Sequence, residues 1–185
     1  MKKLTLSITM ALAMTLLPIS ACDETVAPTI DDAWLQFESK DYAGALTAFQ
    51  SFFADTSEAY VGAGWSSLRQ YQYSQAAGYF ANAPSSVDGN AGWGFCLWAT
   101  GDLNGAISKV DFVLSRSTAY SFSHDPRVNY QDLHVLKANA NYEKARYHQC
   151  LLSIRQVDPS FIQVIAATDS ASVLLAGLVL LGPVL

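Results

Sequence analysis

The sequence predicts an all-α protein built from about four helical hairpins, and three observations lead to that class. Four alanines, each three residues after a Tyr or Leu, recur at Ala45, Ala76, Ala106 and Ala145, with steps of 31, 30 and 39 residues. Apolar residues around them repeat at three- and four-residue spacing, which is typical of amphipathic helices. Turn-forming residues such as Pro84 fall at the ends of these segments. A period near 30 residues favours a stack of helical pairs.

Composition limits the class of function. The chain has 185 residues, of which 51% are hydrophobic and 15% charged, so most of it is expected to fold rather than stay disordered. The formal net charge is −5 and no basic cluster is present. Because nucleic-acid phosphates require Lys and Arg, the sequence argues against a nucleic-acid partner.

The first 21 residues have the pattern of a signal peptide. "MKK" is a short positive start, "LTLSITMALAMTLLPI" is an apolar stretch, and "ISA" precedes Cys22. This end resembles the bacterial lipobox, which implies that Cys22 is lipidated and begins the mature chain. The alternative is an ordinary signal peptide that is cut nearby and leaves Cys22 free. Residues 22–29 are expected to be a tether, and the chain a membrane-anchored lipoprotein on the periplasmic side of the cell envelope, in either membrane.

The elements follow in order from residue 30. The second hairpin is the clearest, with a helix over 58–70, a turn at "YQY" and a second helix over 74–83. The third hairpin covers 89–114 and turns at "TGD". The long step to the fourth contains an insertion at 115–127, whose Ser, His, Asp and Pro content predicts a loop. Gly64 and Gly94 are expected to let paired helices approach closely.

The chain resembles the tetratricopeptide repeat (TPR) family over roughly residues 30–160. The resemblance is carried by Gly64, Tyr73, Ala76, Phe80 and Ala83 in the second copy, Trp93, Gly94, Gly101, Asp102, Ala106 and Val110 in the third, and Leu133, Tyr142, Ala145 and "VDPS" at 157–160 in the fourth. It implies a right-handed solenoid of about four hairpins whose concave surface binds other proteins.

A partner-binding groove is predicted on one face of the first helix of each hairpin. Counting eleven and eight residues back from each marker alanine gives mostly aromatic or apolar residues, which share a face in the TPR family. The groove residues so predicted are Trp65, Leu68, Phe95, Trp98, Tyr130 and His134. Trp34 and Phe37, in the first hairpin, are expected to be core. For Trp65, Phe95 and Trp98, packing against the chain's own tail is an equal alternative.

No constellation in the sequence asks for catalysis, a cofactor or a metal. His124 and Asp125 lie among several serines, but the composition of that segment is better explained by a loop than by a hydrolase triad. The three histidines lack metal-ligand spacing. Cys96 and Cys150 could form a disulfide in an oxidising compartment, but two buried thiols are favoured.

Residues 161–185 form a predicted hydrophobic C-terminal helix. Its apolar part is too short to span a bilayer, which needs about 20 residues. Three placements are open: along the aromatic ladder, which is the first choice, over the last repeat as a cap, or against the membrane. The expected function is a non-enzymatic protein-binding scaffold whose partners are envelope proteins or peptides. The alternative is a carrier that holds an apolar small molecule or lipid.

Overall fold

The computed structural model describes residues 27–161 and 170–182, and these stretches are helical with connecting loops. The nine helices found there are α1 (Ile30–Glu38), α2 (Tyr42–Gln50), α3 (Ser57–Arg69), α4 (Tyr73–Phe80), α5 (Val87–Ala99), α6 (Leu103–Arg116), α7 (Tyr130–Glu143), α8 (Tyr147–Val157) and α9 (Ser170–Leu181). The all-α class is therefore confirmed for the described residues. The predicted signal peptide, Cys22 and the first part of the tether lie outside them.

The first eight helices form four pairs. Each helix packs against the next one in the chain, and the odd-numbered helices α1, α3, α5 and α7 also contact one another in succession. One hydrophobic core runs through the first three pairs, the loop after α6 and the start of α7. A second cluster joins the fourth pair to α9.

The two helices of each pair are joined by the same tight turn. One residue of each turn has a left-handed backbone, with φ of 70° at Lys40, 61° at Tyr71, 87° at Gly101 and 53° at Ala145. The next residue donates its N–H to a carbonyl five positions back, at distances of 2.8–3.0 Å in all four turns. This satisfies carbonyls that the end of a helix leaves unpaired. The turns therefore define equivalent positions in the four pairs.

These equivalences correct the predicted register of the fourth pair. The third residue after the start of the second helix is Ala45, Ala76, Ala106 and Cys150, and all four are fully buried. Ala145 is not in a helix but in the turn. The sequence interpretation was thus five residues out of register in the fourth pair, because Cys150 takes the place of the small alanine there.

Glycines let phenylalanine rings approach the odd helices, although not at all the predicted places. A Cβ built at Gly64 would lie 2.5 Å from Cε1 of Phe80, whereas a Cβ at Gly94 would be in ordinary contact with Val110, at 3.5 Å. Gly62 and Gly92 are equally tight: a Cβ at Gly62 would overlap the ring of Phe49, and one at Gly92 that of Phe80. The prediction of close approach is therefore confirmed at Gly64 and wrong at Gly94.

The insertion after α6 is a loop, as predicted, but its apolar residues are buried. α6 continues to Arg116, so the loop covers residues 117–129 and is called the inserted loop below. Phe122 and Val128 are fully buried and Tyr120 is nearly so. An isolated antiparallel bridge joins Ser121 to Asn129, which brings the two ends of the loop together.

α9 packs against α7 and α8. Leu174 and Leu178 are buried there, whereas Val179 and Leu180 are 72% and 79% exposed. The first expected placement of the tail, along the aromatic ladder, is therefore wrong: α9 covers the last helix pair and leaves an apolar outer face. The predicted helix over 161–185 is observed from Ser170, and residues 162–169 lie outside the described part.

Cys96 and Cys150 are buried free thiols, as favoured from the sequence. Cys96 belongs to the main core and Cys150 to the second cluster. In the described residues, no helix combines the length and apolar character that crossing a membrane requires.

Candidate functional site

Four of the six predicted groove residues lie on one face formed by α1, α3 and α5. This aromatic face carries the residues eleven and eight positions before each marker in the first three pairs, namely Trp34, Phe37, Trp65, Leu68, Phe95 and Trp98. Trp65 and Phe95 are neighbours across α3 and α5, with ring centroids 6.4 Å apart. The predicted clustering on one surface is thus observed in this part of the chain.

The inserted loop covers the first half of the aromatic face. Phe122 stacks on Trp65, with ring centroids 4.5 Å apart and planes inclined by 18°. Its ring also meets Trp34 and Phe37 edge-on, at 6.0 and 6.1 Å. Trp34, Phe37 and Trp65 therefore form a three-sided aromatic cage around one phenylalanine. Trp65 is fully buried and presents no surface to a partner while the loop is in place.

His124 holds the outer edge of the loop. Its imidazole lies flat on Trp34, with ring centroids 3.8 Å apart and planes 3° from parallel. Its Nδ1 is 2.9 Å from Oε1 of Glu38, at the end of α1. Because both rings are planar and the contact is stacked, His124 covers the indole that Phe122 meets edge-on.

Asp125 anchors the loop by charge. Arg69 Nη2, at the end of α3, donates to Asp125 Oδ2 at 2.6 Å, and Arg127 Nε donates to Oδ1 at 2.8 Å. The Asp125 side chain is 7% exposed and that of Arg69 15%. Burial alone would raise the pKa of the Asp125 carboxyl, but the hydrogen bonds from Arg127 and the charge of Arg69 hold it below its usual range. Asp125 is therefore an ionised group clamped between two guanidinium groups.

The second half of the aromatic face remains open as a small cleft. It has a volume of about 80 Å³ and is lined by Leu68, Arg69, Tyr71, Tyr73, Phe95, Trp98 and Ala99. Tyr71 is 76% exposed at its rim. Trp98 donates its indole N–H to Glu143 Oε1 at 3.1 Å, which connects the cleft to the end of α7. Arg69 lies between the covered and open halves, because it lines this cleft and also binds Asp125.

Tyr130 and His134 do not belong to the aromatic face, which is a consequence of the register error. The equivalent positions of the fourth pair are Asn139 and Tyr142. Burial lowers the pKa of His134, as does the charge of Lys137, which is paired with Asp111 of α6 at 2.5 Å. His134 therefore faces the preceding pair.

The loop residues that occupy the site were missed as functional candidates from the sequence. The inserted segment was interpreted from its Ser, His, Asp and Pro content, which outweighed its aromatic residues. Tyr120, Phe122 and Val128 alternate in part with polar residues, and this pattern could have indicated a segment with one buried side. Arg69 gave no signal, because its partner Asp125 is 56 residues away.

The site resembles peptide recognition more than catalysis. His124 is engaged with Glu38 rather than with a serine, so the arrangement of a hydrolase triad is not formed at this position. No group of His, Cys, Asp or Glu within residues 27–161 and 170–182 is arranged to hold a metal ion. What the face does bind is one aromatic ring in a cage and one carboxylate beside it.

Comparison with known proteins places the chain in no family. No protein-family model matches the sequence, and no curated protein matches it significantly.

Proposed function

We propose that this chain is a non-enzymatic protein-binding scaffold, held at a bacterial envelope membrane by a lipid on Cys22. Its helix pairs form a right-handed solenoid of the TPR type, and envelope proteins or peptides bind along the aromatic face. The solenoid is supported by the identical turns of the four pairs and by the succession of contacts between odd-numbered helices.

One observation carries the binding function. The aromatic face already holds a polypeptide segment, with a ring in the cage and a carboxylate on Arg69. Aromatic anchors and paired charges of this kind are what protein interfaces use for affinity and specificity. The open cleft at Leu68, Phe95 and Trp98 continues the same surface and is not covered by the loop.

The carrier is the weaker alternative. The open cleft has a volume of about 80 Å³, whereas sites for drug-sized molecules enclose about 300–1,000 Å³. A lipid therefore does not fit this cleft as it stands.

Site-specific photo-crosslinking in intact cells tests the scaffold. A photoreactive phenylalanine analogue replaces Tyr71 at the rim of the cleft, and Thr47, exposed on α2, serves as the control position. The scaffold predicts discrete protein adducts from position 71 and not from position 47. Crosslinks from position 71 only to lipid would favour the carrier and overturn the proposal.

A further inference from the structure

We infer that the inserted loop is a displaceable internal ligand, and that the partner is a peptide with an aromatic residue followed three positions later by Asp or Glu. The inference rests on the proposed binding function and names its partner class. In the loop itself this pattern is Phe122-Ser-His-Asp125. The partner's aromatic ring takes the place of Phe122 in the cage, and its carboxylate takes the place of Asp125 on Arg69.

The backbone of the loop is folded on itself rather than onto the aromatic face. Phe122 N–H donates to Val128 O at 2.9 Å, Val128 N–H to Asp125 O at 2.9 Å, and Tyr130 N–H to Tyr120 O at 2.8 Å. In the described part of the chain, the hydrogen bonds of the loop backbone stay within the loop and the start of α7. The loop can therefore lift as a unit without breaking a backbone hydrogen bond to α1, α3 or α5.

Side chains alone attach the loop to the face. These contacts are the ring of Phe122 in the cage, His124 on Trp34 and Glu38, and Asp125 on Arg69. Tyr120 adds a contact near Asp88, where burial and the charge of that carboxylate raise the pKa of the Tyr120 hydroxyl. Each contact to the cage and to Arg69 is of a type that a second peptide can reproduce. The exchange of one peptide for the other therefore conserves the principal interactions.

The packing under the edge of the loop is incomplete. A cavity of about 360 Å³ separates the segment His124–Arg127 from the turn between α1 and α2, where Phe37, Glu38, Lys40 and Tyr42 line it. A gap of this size leaves its lining without part of its contacts. It weakens the hold of the loop next to Asp125, which is the half that meets the open cleft through Arg69.

A labelled peptide of residues 117–129, STAYSFSHDPRVN, tests the recognition pattern. It is titrated into the detergent-purified full-length wild type and into the Phe122→Ala chain, whose helix content is checked by circular dichroism. Since the internal loop competes in the wild type, the variant is expected to bind the peptide at least ten-fold more tightly. Peptides with Phe→Ala or Asp→Asn are expected to bind at least ten-fold more weakly. A folded variant that does not bind, or that binds all three peptides equally, overturns the inference.

Hydrogen exchange in the wild type tests displacement without a variant. Deuterium uptake of the segment 118–128 is compared with that of α3 by mass spectrometry. A loop that opens is expected to exchange at least a hundred-fold faster than the α3 amides, and equal rates overturn the inference. In either case the crosslinking from position 71 tests partner binding separately, because that position lies on the open cleft.

Discussion

The ring of Phe122 stacks on Trp65 at a centroid distance of 4.5 Å, although 57 positions separate the two residues along the chain. This contact converts a predicted open ladder into a covered surface. It makes the inserted loop, rather than the C-terminal helix, the element that determines access to the aromatic face.

The stability of the first three helix pairs is expected to depend on that ring. Phe122→Ala should lower the free energy of unfolding by about 3 kcal/mol, since removing a fully buried phenylalanine leaves a cavity between three aromatic rings. Ser123→Ala, at an exposed neighbour, is the control and should change stability by less than about 0.5 kcal/mol. Urea denaturation measures both. Equal midpoints would mean that the loop does not cover Trp65 in solution.

The charge clamp of Asp125 is expected to contribute only above acidic pH. Asp125→Asn should cost about 2 kcal/mol at pH 7, because Arg69 loses a charged hydrogen-bond partner. The folded pKa of Asp125 lies below its unfolded value, so this stabilisation is complete above about pH 4 and disappears as the pH falls through the folded pKa. Denaturation of both chains between pH 7 and pH 2 should therefore converge.

A surface ion pair serves as the matched control for that change. Asp111, which is half-exposed, pairs with Lys137 across α6 and α7. Asp111→Asn should cost less than about 1 kcal/mol at pH 7, because exposed pairs contribute little. A cost as large as that of Asp125→Asn would contradict the special role assigned to the clamp.

Two glycines in equivalent positions are expected to respond in opposite directions to alanine. Gly64→Ala should destabilise the chain by about 1–3 kcal/mol, because the new methyl group would press on Phe80. Gly94→Ala has room and should be neutral or stabilising by up to about 1 kcal/mol through helix propensity. Thermal unfolding of the two variants separates these outcomes. Two equal losses would show that Gly94 is also at a close approach.

His134 is expected to make the fold less stable as the pH falls from neutral. Its folded pKa is lowered by burial, so the unfolded chain takes up a proton first, and stability decreases from about pH 6.5 down to the folded pKa. His134→Gln should reduce this slope, as measured by denaturation at pH 7, 6 and 5. An unchanged slope would place the titration elsewhere.

Thiol counting tests both the buried cysteines and the lipid on Cys22. Burial raises the pKa of Cys96 and of Cys150 to about 12, so neither should react with an alkylating reagent at pH 8 in the native chain. In denaturant, two thiols are expected to react if the Cys22 sulfur carries lipid. Three reactive thiols, or an intact mass without acyl chains, would contradict lipidation.

The sequence alone determined the helical hairpins, because they depend on local signals. Ala45, Ala76 and Ala106 recur at a fixed distance, and apolar spacing and turn residues mark the helices between them. The fourth pair was out of register because its buried small residue is Cys150, and the nearby Ala145 matched the pattern by chance. The turn geometry revealed the difference, since Ala145 has a left-handed backbone that no local sequence rule predicts for alanine.

Only the tertiary structure decided what covers the aromatic face and where the tail lies. Phe122 meets Trp65, and Arg69 meets Asp125, across separations of 57 and 56 residues, so neither pairing has a local signal. The apolar character of α9 predicted burial but not its site, because hydrophobic attraction is non-directional and any apolar surface satisfies it. The choice between the ladder and the last pair was made by which surface the loop had already occupied.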